Sequence, residues 1–285
     1  MVKKHLQKIP VRKADTHKGD FGHVLVLAGS KGMTGAAYLA SQAALFSGSG
    51  LVTCGIPESL NAIMEVKLTE AMTLPLPETK GASLSVKAEK IILDFCKKCS
   101  AVALGPGLSR HKETLKLARN LIESVNKPLI LDADGIMSLV DKCDVLKKRK
   151  APTVVTPHPG EMAKLLKKNA QTIQTIRGKV ASEFAKKYKV ILVLKGYQTV
   201  VANTNGETYI NSTGNSGMSS GGTGDVLTGM IASFVGQGIH PYSAAIIGVY
   251  LHGLAGDIAE KEKGQFSLIA TDILEKLPHA IKEVV

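Results

Sequence analysis

Tryptophan is absent from the 285-residue chain, and aromatic residues make up only 4% of it. Proteins that bind single-stranded nucleic acid stack bases on aromatic side chains, and this composition supplies few of them. The formal net charge is +12, but the lysines are scattered as short pairs, with one denser run at residues 147–150. Solvated helix faces account for most of that pattern. The composition therefore disfavours nucleic acid as a partner, while a small polyanionic ligand would still be attracted by the positive field.

Cysteine is also scarce, with four residues in the whole chain. Cys96 and Cys99 are spaced like metal ligands or a redox pair, but no second close pair completes a tetrahedral zinc site. They also lie at the far end of a helical pattern over residues 86–96, where the helix dipole disfavours a thiolate. We interpret them as structural thiols in a reducing compartment.

Long apolar runs are missing as well. No stretch approaches the ~20 apolar residues of a membrane span, and residues 1–18 contain no apolar core of signal-peptide length. We therefore expect a cytoplasmic protein with no membrane partner. Hydrophobic residues make up 44% of the chain and charged residues 21%, which is typical of a globular protein with a sizeable core. With no internal repeat or low-complexity linker, we expect one domain over residues 1–285.

Short apolar runs alternate with helical patterns along most of the chain, which predicts a mainly parallel sheet between helices on both faces. A turn-like segment at residues 203–206 separates two short runs that predict an antiparallel hairpin at one edge. The expected strands are residues 23–29, 51–54, 101–104, 129–131, 153–155, 190–194, 199–202 and 208–210, and the expected helices are residues 35–47, 86–96, 112–124, 161–167, 172–188, 225–235, 241–260 and 271–283.

Five predicted strands are followed at once by glycine, carboxylate, histidine or lysine, and open parallel sheets bind ligands outside the carboxyl ends of their strands. Asp132 and Asp134 bracket an alanine, so they point to opposite sides if the strand continues, which argues against one metal held by both. For one of them, capping the following helix is the alternative. His158 stands between two prolines, and its rigid setting favours contact with ligand. The strand-end segments are Gly29, residues 105–107, 132–135 and 156–161, and Lys195-Gly196.

The most informative run is residues 214–225, Gly-Asn-Ser-Gly-Met-Ser-Ser-Gly-Gly-Thr-Gly-Asp, which leads into an apolar helix-forming segment. The first N–H groups of a helix lack intrahelical partners and lie at the positive end of its dipole, so they suit phosphate oxygens. We interpret Asp225, at the same place, as a group that accepts or orients a hydroxyl proton during phosphoryl transfer.

Gly29, Gly32 and Gly35 are consistent with a tight turn between the first strand and the following helix. They lack the Gly-x-Gly-x-x-Gly order of a dinucleotide-binding fold, and no acidic residue closes the next strand. They also differ from the Gly-x-x-x-x-Gly-Lys-Ser/Thr pattern of a P-loop. This disfavours a nicotinamide dehydrogenase of the Rossmann kind and a P-loop nucleotidase.

Taken in order, these motifs resemble the ADP-dependent NAD(P)H-hydrate dehydratases of the ribokinase-like superfamily, over residues 18–278. The resemblance implies an α/β three-layer sandwich with a mainly parallel central sheet. Its most specific parts are the histidine motif and the Gly-Thr-Gly-Asp motif. The matching segments are residues 18–23, 35–37, 105–108, 131–135, 156–161, 194–196 and 221–227.

The resemblance implies a substrate, (6S)-hydrated NADH or NADPH, which is restored to NADH or NADPH. ADP would donate its terminal phosphoryl group to the ring hydroxyl, with Mg²⁺ on the nucleotide phosphates, and Asp225 would be the catalytic residue. By the same resemblance Ala36 or Ala37, Gly107, His158 and Asp225 line the dinucleotide side. The adenine nucleotide would be held by Lys195, Gly196, Tyr197, Gln198, Thr199, Gly222, Thr223 and Gly224.

The chain departs from the family pattern in two ways. Met218-Ser219-Ser220 replaces the usual Met-Ala-Thr or Met-Ala-Ser, which changes little in the anion-binding argument. Many relatives carry a fused epimerase domain ahead of this one, and 285 residues leave no room for it, so we expect a separate epimerase as functional partner. The resemblance also implies a homotetramer and favours ADP over ATP.

Two other functions fit the same residues. A small-molecule kinase of this fold, such as a hydroxyethylthiazole or sugar kinase, would share Asp225 and the anion-binding helix start but release a phosphorylated product. A nucleotide-binding regulatory protein would bind without turnover.

Overall fold

The structure, a computed structural model, describes residues 2–285, and in that range nine strands form one sheet. The strand order is β3-β2-β1-β4-β5-β6-β7-β8-β9. All pairings from β3 to β7 are parallel, while β7, β8 and β9 pair antiparallel. The strands are β1 His23–Leu27, β2 Leu51–Pro57, β3 Met72–Leu76, β4 Ala101–Leu104, β5 Leu129–Leu131, β6 Thr153–Val155, β7 Ile191–Leu194, β8 Val200–Ala202 and β9 Thr208–Ile210.

Helices cover both faces of the sheet, and each face has its own hydrophobic core. One core joins the sheet to α2, α10, α11 and α12, and the other joins it to α4, α5, α7 and α9. The predicted three-layer α/β sandwich is therefore confirmed. The helices are α1 Lys3–Leu6, α2 Thr34–Phe46, α3 Asn61–Lys67, α4 Glu89–Cys96, α5 Lys112–Ser124, α6 Ala133–Met137, α7 Pro159–Leu166, α8 Ala170–Thr175, α9 Arg177–Tyr188, α10 Thr223–Gly236, α11 Pro241–Ser267 and α12 Ala270–Lys282.

The sheet topology brings the strand-end motifs together. The chain builds β1, β2 and β3 in one direction and then returns to add β4 on the other side of β1, so the strand order reverses between β1 and β4. From there β4, β5, β6 and β7 follow in sequence, and their carboxyl ends lie side by side. This is the position at which open α/β sheets bind ligands.

Several elements differ from the sequence-based expectation. Strand β3 is not among the expected strands, because it contains Pro75. A proline lacks the N–H group that pairs neighbouring strands, and the sheet accommodates it here because β3 is an edge strand. The helix expected over residues 172–188 is divided at Ile176, whose φ of −124° and ψ of 35° are not helical. Helix α11 extends to Ser267 but is interrupted at Gly264, where φ is 69°.

All four cysteines are free and buried. Burial raises the pKa of Cys54 and Cys99 to about 12 and that of Cys96 and Cys143 to about 11. Their thiols are thus protonated at neutral pH, in keeping with a structural role. Over residues 2–285, none of the helices combines the length and apolar character that crossing a bilayer requires.

Candidate active site

Helix α10 begins in a left-handed turn that only glycine adopts easily. Gly222 has a φ of +94°, and a Cβ added there would lie 2.6 Å from Leu39 Cδ1. The N–H groups of Asp225 and Val226 both donate to the Gly222 carbonyl, at 3.0 and 3.2 Å. Among the described residues, the amides of Thr223 and Gly224 just before them have no backbone acceptor. The turn therefore presents free amides at the positive end of the helix.

Gly221 has no steric reason of its own to be glycine. A Cβ added there would meet no protein atom within 4 Å, and its φ lies outside the left-handed region. Beside it, the buried hydroxyl of Ser220 has no hydrogen-bond partner within residues 2–285. Open space next to an unpartnered hydroxyl and free amides is what an anion with several oxygens requires.

Asp225 is half-buried at this turn. Burial and then the neighbouring Asp132 carboxylate raise its pKa to about 7, against the opposing influence of Lys195. Glu161 and Asp134 contribute smaller parts of the same increase. A carboxyl group with a pKa near neutrality is suited to take and release a proton in the working pH range. No three His, Cys, Asp or Glu side chains within residues 2–285 are arranged to hold a metal ion by themselves.

His158 is fixed by capping helix α7. Its Nδ1 accepts hydrogen bonds from the N–H groups of Gly160, at 3.0 Å, and Glu161, at 3.4 Å, so the proton of the neutral ring is on Nε2. In return a Glu161 carboxylate oxygen accepts the His158 N–H at 2.9 Å. The ring remains 56% exposed. This capping box, as well as the flanking prolines, explains the rigidity that the sequence indicates.

A cleft of about 720 Å³ lies between the carboxyl end of β7, the start of α10 and helix α11. His158, expected on the dinucleotide side, also lines it. Gly222 does not line it but shapes the turn that does. The cleft thus brings together most residues expected to bind the adenine nucleotide, namely Lys195, Gly196, Tyr197, Gln198, Thr199, Thr223 and Gly224.

Arg177 supports the loop that follows β7. Its guanidinium donates to the Leu194 carbonyl at 2.8 Å and to the Tyr197 carbonyl. A Cβ at Gly196, whose φ is +134°, would lie 3.2 Å from Arg177 Nη1. Tyr197 is 82% exposed at the cleft edge. Sequence reasoning missed Arg177, which is separated from this loop in sequence and reaches it only through the packing of α9.

Apart from His158, the residues expected on the dinucleotide side do not line this cleft: Asp225 lies at the start of α10, and Ala36, Ala37 and Gly107 lie near β1 and β4. A Cβ added at Gly107 would lie 3.0 Å from Ala36 Cβ, so the loop after β4 and the start of α2 are in close contact. Ala37 is fully buried beside Gly29, so its side chain belongs to the core. Leu39, three residues after Ala36, packs on Gly222 and so joins this side to the start of α10.

Other polar residues of the cleft were not expected. His252 lines the cleft, and its Nε2 donates to the Thr223 carbonyl at 2.9 Å. Burial lowers its pKa to about 4, so the ring is neutral. The sequence holds no local signal for this contact, which joins α11 to the start of α10. The sequence also did not indicate Asn211, Thr213 and Gln265, whereas Asn215, Ser216 and Ser219 belong to the run 214–225 that it singled out.

Comparison with known proteins identifies the family. The sequence profile described as NAD(P)H-hydrate dehydratase matches residues 24–279. The chain belongs to this family. It is 44% identical over 277 residues to the bifunctional NAD(P)H-hydrate repair enzyme Nnr of Moorella thermoacetica, with 97% of this chain covered. It spans about half the length of that relative, 52%.

A relative of similar length has a solved structure. The ADP-dependent (S)-NAD(P)H-hydrate dehydratase of Bacillus subtilis is 34% identical over 274 residues, which cover 96% of this chain and 94% of the relative. A crystal structure of the B. subtilis ADP/ATP-dependent enzyme, co-crystallised with ATP/Mg²⁺, matches with a TM-score of 0.86, 32% identity and coverage of 100% of this chain and 98% of that chain. A ribokinase-like superfamily protein from Enterococcus faecalis matches with a TM-score of 0.82, 26% identity and coverage of 99% and 95%. The family and ribokinase-like fold expected from the sequence are thus confirmed.

Proposed function

We propose that this protein repairs hydrated NADH and NADPH, removing water from the (6S) hydrate in a reaction that consumes ADP. The observation that carries the proposal is the start of α10, where free amides and the open position at Gly221 adjoin a carboxyl group with a pKa of about 7. Family membership and the ADP-dependent B. subtilis relative support the choice of substrate and donor.

The proposed reaction converts the ring hydroxyl, a poor leaving group, into a phosphate, which is a good leaving group. Asp225 takes the proton of the ring hydroxyl while that oxygen attacks the terminal phosphorus of ADP, and the bond to AMP breaks. The amides of Thr223 and Gly224, with the nearby Lys195 ammonium, stabilise charge on the transferred phosphoryl group. Phosphate then leaves with the C–O electron pair, the ring nitrogen supplies electrons, and the adjacent ring carbon loses a proton to give the dihydropyridine.

Mg²⁺ would be held mainly by the nucleotide itself, because phosphate oxygens are among its preferred ligands. Within residues 2–285 no three His, Cys, Asp or Glu side chains are arranged to hold a metal ion by themselves, and the Asp132 carboxylate already accepts three hydrogen bonds. Bound to the nucleotide, the ion would neutralise phosphate charge, which agrees with the ATP/Mg²⁺ co-crystal of the B. subtilis relative.

The remaining assignments extend the same proposal. The dinucleotide would bind along Ala36, Gly107, His158 and Asp225. A separate epimerase would convert the other epimer of the hydrate, the protein would work in the cytoplasm, and it would assemble as a homotetramer. Each assignment has its own measurement: activity with each epimer, cell fractionation, and light scattering of the purified chain.

The decisive experiment mixes the purified protein with hydrated NADPH, Mg²⁺ and either ADP or ATP, and follows the absorbance of the reduced ring. The proposal expects the absorbance to rise, faster with ADP, with AMP and phosphate formed in equal amounts. A small-molecule kinase would instead release a stable phosphoester, and a regulatory protein would bind nucleotide with no product. Either result contradicts the proposal.

A further inference from the structure

Asp132 stands at the carboxyl end of β5 as a buried carboxylate with three side-chain donors, each from a different element. Lys195 Nζ, after β7, is 2.6 Å from Oδ1, and Thr156 Oγ1, after β6, is 2.9 Å from the same oxygen. Thr228 Oγ1, in α10, donates to Oδ2 at 2.8 Å. The carboxylate therefore joins two neighbouring strand ends to the helix that carries Asp225.

The Asp132–Lys195 pair is almost closed to water. The Asp132 side chain is 2% exposed and that of Lys195 is 17% exposed. Burial alone would lower the pKa of Lys195, but the carboxylates of Asp132 and Glu161 outweigh it and hold that pKa above its usual value. The ammonium thus stays charged inside the protein, where a charge–charge contact is stronger than in water.

Both ends of this network reach the phosphate-binding turn. A Cβ added at Gly224 would lie 3.1 Å from Lys195 Nζ, so the ammonium lies against the second residue of α10. Thr228 is three residues after Asp225, one turn further along the same helix. A single carboxylate therefore sets the position of the ammonium relative to the amides and to Asp225.

We propose that Asp132 is a positioning residue for phosphoryl transfer, which holds the Lys195 ammonium and the first turns of α10 in one arrangement. This inference rests on the proposed function. It differs from a purely structural role, because Asp132 also contributes negative charge at Asp225. The other charged groups that act on Asp225 are Asp134, Glu161 and Lys195.

The first test is Asp132→Asn, which keeps the shape of the side chain and removes its charge. We expect kcat to fall about tenfold or more, because Lys195 loses its fixed partner. The acid limb of the profile of kcat/KM against pH should move to lower pH, because one of the negative charges that raise the pKa of Asp225 is gone. A merely structural role would leave that limb in place.

The second test changes no charge, and it remains informative if Asp132→Asn folds poorly. Thr228→Val removes one hydrogen bond to Asp132. Thr114→Val is the control, since Thr114 is also buried, donates to the Leu84 carbonyl at 2.8 Å and contacts the Ser83 hydroxyl at 2.9 Å, away from the site. It should lose at least as much thermal stability as Thr228→Val, because it loses two hydrogen bonds. Only Thr228→Val should weaken ADP binding, by about fivefold in a calorimetric titration, and lower kcat.

The outcomes separate the inference from the proposed function. If the wild-type protein produces no reduced dinucleotide with any nucleotide, the proposed function fails, and ADP binding to the two threonine variants still tests the arrangement. If Thr228→Val binds ADP as Thr114→Val does and Asp132→Asn keeps the wild-type acid limb, Asp132 has no positioning role. If Thr228→Val binds ADP more weakly but Asp132→Asn keeps the wild-type acid limb, the influence of the Asp132 charge on Asp225 is refuted.

Discussion

Asp225 is where function and stability conflict within one residue. Its pKa is raised above the ordinary value by burial and by Asp132, so the folded protein disfavours the carboxylate form that catalysis needs. Because the folded-state pKa of about 7 exceeds the unfolded value, stability is highest when the group is protonated. It declines as the pH rises from about 4 towards 7, and the loss is complete above 7.

Replacing Asp225 should therefore lower activity and raise stability. Asp225→Asn should lower turnover by a factor of about 10² to 10⁴, with ADP still bound, because the proton acceptor is lost. The same variant should melt at a higher temperature than wild type at pH 8, and the gain should shrink at pH 5. Scanning calorimetry at the two pH values and steady-state kinetics measure both effects.

Asp144→Asn is the control for the loss of a carboxylate, since Asp144 is exposed and pairs with Lys147 away from the cleft. It should leave turnover unchanged. Equal turnover in wild type and Asp225→Asn would remove Asp225 from the mechanism.

Gly221 permits a test of the anion-binding turn that leaves the fold intact. With no protein atom within 4 Å of an added Cβ and no left-handed φ, Gly221→Ala should fold with unchanged stability. If phosphate oxygens occupy the open space, the methyl group should raise KM for ADP about tenfold or more. Melting temperature and ADP kinetics together provide the measurement.

Gly178→Ala is the matched control for that variant. Gly178 lies in α9, an added Cβ there also meets no atom of residues 2–285 within 4 Å, and Gly178 does not line the cleft. This control should keep the wild-type KM for ADP. An unchanged KM in Gly221→Ala as well would place the phosphates elsewhere.

The residues of the site differ in how far sequence could reveal them. Asp225 and the glycines before it were evident because their chemistry and their position at a helix start are both local. Asp132 was noticed only as a strand-end carboxylate, and Arg177 and His252 were not recognised as parts of the site. Their roles depend on contacts between distant segments, such as Asp132 and Lys195 with a sequence separation of 63, and no local pattern encodes those contacts.

At the scale of elements, helix α11 shapes the cleft through close contact with the loop that precedes α10. A Cβ at Gly253 would lie 2.3 Å from Thr213 Oγ1 and 2.6 Å from the Thr213 carbonyl carbon. Thr213 itself donates to the Tyr250 carbonyl at 2.8 Å, and Asp257 accepts the Gly214 N–H at 2.9 Å. The position of the loop therefore depends on the absence of a side chain at residue 253.

Gly253→Ala should accordingly cost about 1–3 kcal/mol of unfolding free energy, because backbone must move to admit the methyl group. It should also raise KM for ADP, since the displaced loop lines the cleft. Urea denaturation and kinetics measure the two effects. Gly256→Ala, which meets only the flexible Met218 side chain, should cost less, and the reverse order would contradict this account.

Element boundaries were predictable where periodicity is strong and locally consistent. Helix α5 has the bounds expected from sequence, residues 112–124, and β4, β5, β6 and β9 also match. Strand β3 was not predictable, since a proline in a strand is acceptable only at an edge that the chain order does not reveal. The division between α8 and α9 at Ile176 likewise has no proline to mark it, and the nearest glycine, Gly178, lies inside α9.

At the scale of the whole molecule, the net charge of +12 favours the approach of anionic nucleotides from solution. Raising NaCl from about 0.02 M to about 0.5 M should therefore raise KM for ADP severalfold, because salt screens charges beyond the Debye length. At saturating ADP, kcat should change much less. Initial rates over both concentrations test this, and a KM independent of salt would show that the overall charge plays no part in binding.

The four buried cysteines can report on local opening of the folded protein without any engineered labelling site. Because each is protonated and enclosed in one of the two cores, an alkylating reagent should reach it only when that face of the sheet opens. Cys54 belongs to the core beneath α10, while Cys96, Cys99 and Cys143 belong to the opposite one. Mass spectrometry of the alkylated peptides would thus show whether saturating nucleotide slows opening on both sides of the sheet or only on the side that carries Asp225.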